Sequence, residues 1–314
     1  AYIKLNWSKT ELLIGQTWHP LYEAGCTPEV ISADAGLPFK VYARNPQIRL
    51  SRDFGRFMLI GTAMSQIDFC SNGPDGASPK YLRNSVLPEM NLQVQYLWKD
   101  EVKGIELQTG AGIDYLVLTP LLSSEVVLKK AYDTVINNIV FHNDAKIAIY
   151  KTNVKAPALS ANIFCKLKLP KFTTKLGGIY SQNGYALSLL GGYAVKSVTD
   201  PSMGFVDYAN VSTMAFWGDC ATNGEHWQFG LFGGYSKNLG ASTTVKGPFY
   251  SRGCNIDYMW RVSPRVLLTV SKIRFALETE YTVANYGTIS SDARVVDSKP
   301  VGNLRFLLSA YYFF

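Results

Sequence analysis

The last twelve residues constrain the fold more than any other part of the chain. From Asn303 to Phe314 the even positions read Leu304, Phe306, Leu308, Ala310, Tyr312 and Phe314, and the odd ones Asn303, Arg305, Leu307, Ser309, Tyr311 and Phe313. Side chains alternate across a strand, so one face of this segment is apolar throughout and the other is mixed. A strand of about ten residues or more with one hydrocarbon-seeking face is long enough to cross a bilayer at a tilt. In a water-soluble sandwich, a terminal edge ending in Tyr-Tyr-Phe-Phe would invite aggregation.

The same period recurs upstream. Trp227, Phe229, Leu231, Gly233 and Tyr235 alternate with His226, Gln228, Gly230, Phe232, Gly234 and Ser236. Phe275, Leu277, Thr279 and Tyr281 oppose Arg274, Ala276, Glu278, Glu280 and Thr282, and Leu92, Val94, Tyr96 and Trp98 oppose Asn91, Gln93, Gln95 and Lys99. Each apolar row ends in an aromatic, the placing expected of an interfacial girdle.

Averaged over the chain this pattern vanishes, leaving a mean hydropathy of +0.01. Aromatics at 13% exclude a disordered chain. No run of about 18 apolar residues occurs, which excludes helical membrane spans. The net charge of +7 would suit a nucleic-acid binder if the cations clustered, but they are spread singly along the strands, with Lys129-Lys130 a typical longest run.

The alternation predicts fifteen strands, at about 1 to 7, 11 to 18, 47 to 52, 56 to 65, 90 to 98, 104 to 118, 139 to 150, 159 to 169, 174 to 181, 185 to 196, 205 to 217, 226 to 236, 252 to 261, 272 to 284 and 301 to 314. Tight turns such as Ser8-Lys9-Thr10, Asp53-Phe54-Gly55 and Lys99 to Lys103 alternate with long loops at about 19 to 46, 66 to 89 and 119 to 138. Short periplasmic turns and long external loops are the habit of outer-membrane barrels, which normally close with an even number of strands. We therefore expect an all-β antiparallel transmembrane barrel of about 16 strands, one of them upstream of Ala1, in a single domain over residues 1–314 with a truncated N-terminus. Residues Ser124 to Phe141 read equally as a loop helix or as a further strand with a polar loop.

If the apolar rows face lipid, the opposite rows line the lumen. Their cations are Lys4, Arg49, Lys99, Lys166, Lys168, Arg261, Arg274 and Arg305, and their anions Glu106, Asp114, Asp257, Glu278 and Glu280. The pore-lining set expected to set selectivity is Lys4, Arg49, Lys166, Lys168, Arg261, Arg274, Glu278, Glu280 and Arg305, led by the four arginines. Cations in a narrow water-filled ring lower the barrier to anions. The bland alternative is that these charges cancel as ion pairs, with Arg274, Glu278 and Glu280 on one strand face well placed to pair.

The pairs Gly177-Gly178, Gly191-Gly192 and Gly233-Gly234 precede Tyr180, Tyr193 and Tyr235 and read as strand glycines under aromatic rings. No H-E-x-x-H or G-x-S-x-G motif occurs, so no catalytic, metal or cofactor site is expected. A barrel enzyme would need His19, His142 or His226 within reach of a serine or carboxylate. Cys26 and Cys70 fall in predicted external loops, where a bridge between them is conceivable, whereas Cys165 and Cys254 lie in apolar rows.

Two stretches carry a family likeness. Ala1 to Leu21 (Ala-Tyr-Ile-Lys-Leu-Asn-Trp-Ser-Lys-Thr-Glu-Leu-Leu-Ile-Gly-Gln-Thr-Trp-His-Pro-Leu) and Val262 to Thr282, with the aromatic end, resemble the DcaP-like, dicarboxylate-specific porins of Gram-negative outer membranes. The resemblance covers about a quarter of the chain. It implies a homotrimeric, passive diffusion channel for small anionic solutes, embedded among outer-membrane lipid and lipopolysaccharide, without cofactor or nucleic acid. Further strands precede the matching hairpin in that family. A loop-plugged barrel serving a larger outer-membrane assembly is the alternative reading.

Overall fold

A computed structural model describes residues 1–32, 36–136 and 139–314. Nineteen strands follow in order: β1 (Tyr2–Asn6), β2 (Thr10–Trp18), β3 (Arg44–Asp53), β4 (Phe57–Met64), β5 (Glu89–Asp100), β6 (Ile105–Leu118), β7 (Ser123–Lys129), β8 (Tyr132–Ile136), β9 (Ile139–Asn143), β10 (Lys146–Lys151), β11 (Ala156–Lys168), β12 (Phe172–Ser181), β13 (Gly191–Asp200), β14 (Phe205–Thr222), β15 (Trp227–Gly240), β16 (Phe249–Arg252), β17 (Ile256–Val270), β18 (Ile273–Ile289) and β19 (Val295–Tyr312). One short helix, α1 (Lys80–Ser85), lies between β4 and β5.

Fifteen strands form one antiparallel sheet whose path of thirteen runs β1-β2-β3-β4-β5-β6-β11-β12-β14-β15-β17-β18-β19. The hairpin arm β13 pairs with the first half of β14, and β16 pairs with β13. Tight turns join β1 to β2, β3 to β4, β5 to β6, β11 to β12, β14 to β15 and β17 to β18, all at one end, and the longer connections gather at the other. Among the described residues no ladder joins β1 to β19. The all-β antiparallel wall expected from the alternation is observed, and among the described residues fifteen strands belong to it, against an expectation of about 16. Residues 137 and 138 lie outside the described residues; the rest of the stretch 124–141 forms β7, β8 and the start of β9, laddered as the ribbons β7–β10 and β8–β9, the strand alternative over the helix.

The sheet is inside out relative to a water-soluble one. Leu304, Phe306 and Leu308 on β19 are 54%, 68% and 80% exposed, and Trp227, Phe229 and Leu231 on β15 are equally bare. On β5 the polar row Asn91, Gln93 and Gln95 is buried while Met90, Leu92 and Val94 are exposed. That inversion is stable only where the outer face meets hydrocarbon, as in a membrane barrel.

What buries the polar rows is chain folded inside the sheet. The segment 19–46, expected to be external, turns inward at its first residues: Pro20 has no N–H for the ladder, and His19 caps a short 3-10 turn at Pro20–Tyr22. Its apolar residues Leu21, Cys26, Phe39 and Val41 are almost fully buried, packed against Phe164, Trp217, Phe232, Ile179 and Ala215 of the inner wall. Within a few residues the segment reaches β5 and β6 through Glu23, β12 and β14 through Glu29, β18 through Ile31 and β19 through Ser32. One short segment can touch walls that far apart in the path only if the sheet curls around it.

The inner wall admits these rings where it carries glycine. A Cβ at Gly177 would sit 2.6 Å from Trp217 Cε2 and one at Gly234 would meet the Phe39 ring, while on the outer face one at Gly178 would sit 2.8 Å from Phe216, itself 50% exposed. The glycine reading therefore holds at these positions, but with Trp217, Phe216 and Phe39 as the covering rings in place of the following tyrosines. Gly191 and Gly192 instead adopt φ of 86° and 154° against neighbouring backbone, conformations that only glycine enters freely. Gly177→Val is expected to cost about 1–3 kcal/mol by overpacking. Gly233→Val, with nothing within 4 Å of its Cβ, should be tolerated. The heat-modified mobility of the folded protein, followed against temperature, compares the two.

Candidate functional site

Below the apolar plug, the inward rows place their charges in register. Gln108 lies opposite Lys166, Lys166 opposite Lys175, Lys175 opposite Asp219, Arg265 opposite Glu278, and Glu280 opposite Arg305. The result is a collar of ionisable groups around the lumen. Arg265 forks onto Asp219 at 2.6 and 3.0 Å, both side chains wholly buried, and the same carboxylate accepts the Glu29 N–H at 2.9 Å. Lys175 binds Glu29 at 2.5 Å, and Lys166 binds Glu106 at 3.2 Å. Glu280 takes Arg305 at 2.7 Å and Arg261 at 3.3 Å.

The loop is fixed to this collar by polar contacts. Glu23 accepts from Gln95 at 2.7 Å, Gln108 at 3.1 Å and the Gly25 N–H at 3.2 Å. Burial raises its carboxyl above the ordinary range against those donors. Lys40 donates to the Tyr22 carbonyl and lies 3.3 Å over the Tyr22 ring. Burial lowers its ammonium from 10.5 to about 7. Glu278 accepts the Ile31 N–H at 2.8 Å.

Of the expected pore-lining residues, Arg261, Glu278, Glu280, Arg305 and Lys166 join the collar. Arg49 lies beside it, bonded to Gln47 and to the Trp18 carbonyl at 2.7 Å. Lys4 pairs with Glu11 at 3.0 Å towards the tight-turn end, and Lys168 is exposed beyond Lys166. Arg274 does not pair with Glu278 or Glu280 along its own strand. It donates to Thr269 at 3.0 Å, and the two glutamates look across to Arg261, Arg305 and the loop. Lys175, Asp219, Arg265 and the loop residues Glu23, Glu29 and Lys40 were not in the sequence-derived set. For Asp219 and Arg265 the signal was there: the two-residue period continues past 217 and 261 to the true ends of β14 and β17.

The cysteines are all free, so Cys26 and Cys70, whose pairing the sequence left open, are not bridged. Cys26 is buried in the plug with its thiol pushed up to about 11 by burial, and its Sγ donates to the Cys165 carbonyl at 3.4 Å. Cys254 lies in the turn between β16 and β17.

Two histidines meet carboxylates. His142 contacts Asp133 at 2.6 Å on the exposed ribbon. His19 is buried with Glu89 at 3.3 Å and Asp114 at 3.8 Å, and these three offer ligand atoms within 4.8 Å of one another. His19 Nδ1 accepts the Leu21 N–H, which puts the proton on Nε2, the atom a metal would need. As arranged, the group acts as a buried hydrogen-bond knot at the root of the loop, extended by Gln66 to Glu89 and Asn91 to Asp114. Among the described residues none of the three histidines bonds a serine hydroxyl.

The curled antiparallel sheet with tight turns at one end and an inward loop has counterparts among solved structures. It is similar to outer-membrane expressed OmpT of Vibrio cholerae, with a TM-score of 0.51 and 12% identity over 99% of this chain and 80% of that one. The chain has the fold of an outer-membrane β-barrel. A loop L8 deletion mutant of the same OmpT aligns at 0.52 with 9% identity over 99% and 78% of the two chains. Its in-vitro folded trimer form aligns at 0.50 with 11% identity over 99% and 80%. No family model and no curated protein matches the sequence.

Asp219→Ala would leave the Arg265 guanidinium buried without its partner and is expected to cost about 3–5 kcal/mol, measured by urea unfolding in detergent. Lys40→Met is expected to raise the unfolding temperature, and by more at pH 6 than at pH 9. The native ammonium must be charged in its buried seat below about 7, whereas the unfolded chain keeps the proton up to 10.5, so the wild type loses stability as pH falls towards 7.

Proposed function

We propose that this chain is a passive diffusion channel of the bacterial outer membrane for small hydrophilic solutes, with a weak preference for anions and no chemistry on the solute. The observation that carries the preference is which member of each ion pair reaches water. Arg305 is 43% exposed against 7% for Glu280, Lys99 is 60% against 23% for Glu106, and Lys237 is 38% against 20% for Asp257. Lys175 and Glu29 reverse this order, and Lys166 and Glu106 are even at 20% and 23%, which keeps the preference small. Solvent-facing cations backed by buried carboxylates give the passing solute a positive wall without leaving the carboxylates unpaired. The fold supports an outer-membrane location, and the trimer form of the Vibrio protein supports a homotrimer. The narrower DcaP-like, dicarboxylate assignment rests on the sequence resemblance alone.

A second reading has its own observation. Phe39, Cys26 and Val41 of the inward loop are packed as tightly as a protein core, as a permanent plug would be in a barrel that serves as a scaffold.

Planar-bilayer recordings separate the two. The wild type is expected to conduct, with a reversal potential under a KCl gradient on the anion side that Arg305→Glu moves towards cations. Replacing residues 24–40 with a short Gly-Ser link should raise conductance several-fold. A silent wild type with a conducting loop variant would establish the plugged scaffold, and a cation-preferring wild type would refute the anion reading.

A further inference from the structure

Beneath the loop, on the tight-turn side, lies a cavity of about 310 Å³ that the collar does not explain. Its roof is Val30 and Ile31 of the loop, and its walls include Gln228 of β15, Leu267 of β17, Arg274 of β18 and the ring of Phe313 just beyond β19. The volume lies in the range of small-ligand sites, which are apolar enclosures with a few converging polar groups.

The polar groups here differ in one respect. Arg265 borders the cavity but spends its guanidinium on Asp219, and Glu29 borders it bound to Lys175. Arg274 has no carboxylate partner among the described residues. Its Nε donates to Thr269 at 3.0 Å, and its guanidinium lies 5.4 Å from the Phe313 ring centre, which holds the side chain at the cavity edge. The Gln228 amide likewise has no hydrogen-bond partner among the described residues. One uncompensated guanidinium, one free amide, an aromatic ring and an aliphatic roof form a set that recognises a single carboxylate attached to an apolar body. A second carboxylate on the ligand would have to face the aliphatic roof or the Glu29 carboxylate, since Lys175 is already engaged.

We infer that this cavity is a binding station for monocarboxylates with a compact apolar body, such as aromatic acids, on the tight-turn side of the loop. The station deepens the channel reading and rests on it for its role in transport, although binding itself does not require conduction. In outer-membrane barrels that end faces the periplasm, so the station would load from, or empty to, that side.

Binding of benzoate to the full chain in detergent, followed by saturation-transfer NMR, tests the site apart from conduction. Benzoate is expected to bind saturably, and succinate at least tenfold more weakly. Arg274→Gln should weaken benzoate at least tenfold, and Gln228→Leu and Arg274→Lys by smaller factors, with the folded band on unheated gels confirming that each variant folds. In bilayers, benzoate added on the tight-turn side should interrupt the wild-type current, and Arg274→Gln should abolish the interruptions. No benzoate binding, equal binding by Arg274→Gln, or succinate binding as well as benzoate would each overturn the proposal. Arg274-dependent binding by a chain that does not conduct would keep the station and remove the channel.

Discussion

Asp219 and Arg265 sit on strands two places apart in the sheet, with the Arg265 guanidinium forked onto the Asp219 carboxylate and the Glu29 N–H bonded to one of the same oxygens. A buried ion pair is a poor source of stability unless its remaining valences are met, because both charges have left water. Here the loop meets one of them. Wall and loop are therefore mutually dependent: without the loop backbone the pair is under-satisfied, and without the pair the loop loses a fixed point beside Glu29. Glu278, which holds the Ile31 N–H, repeats the device on β18, the strand next to that of Arg265.

That dependence follows from the inverted alternation. A sheet whose outer face is hydrocarbon must place its polar residues inside, and an interior lined with glutamines, arginines and carboxylates cannot simply collapse on itself. Two arrangements satisfy it: water, or chain offering backbone and polar partners. This protein divides the lumen between them. The half near the long connections is filled by rings and aliphatic groups, with Leu187 and Leu189 of the β12–β13 connection joining Leu21 and Val41. The half near the tight turns keeps the ion pairs and open space.

Much of the wall was legible in the sequence because period two is a local property. The lipid-facing rows of β5, β15, β18 and β19 have the side-chain directions that alternation assigned. What escaped was non-local. The inward turn of the loop depends on the Leu21, Phe39 and Val41 side chains finding Ile179, Trp217 and Phe232 across the lumen, and no spacing within 19–46 reports those partners. The collar was half legible, for the strand ends were set too early at 217 and 261, just short of Asp219 and Arg265. Arg274, Glu278 and Glu280 lay correctly on one face, but their partners are set by neighbouring strands, which register and not sequence decides.

The bare flank of β19 has a mechanical meaning. Among the described residues this strand is laddered to β18 alone, and both its faces are largely exposed. Arg305, on that strand, also bonds Ser32 of the loop at 2.8 Å. Fraying at the seam would therefore pull on the loop, and a seated loop would hold the seam shut. The lateral edge of the wall and the occupant of its interior thus share one equilibrium, so whatever strand pairs with β19 in the membrane also sets how firmly the loop is seated.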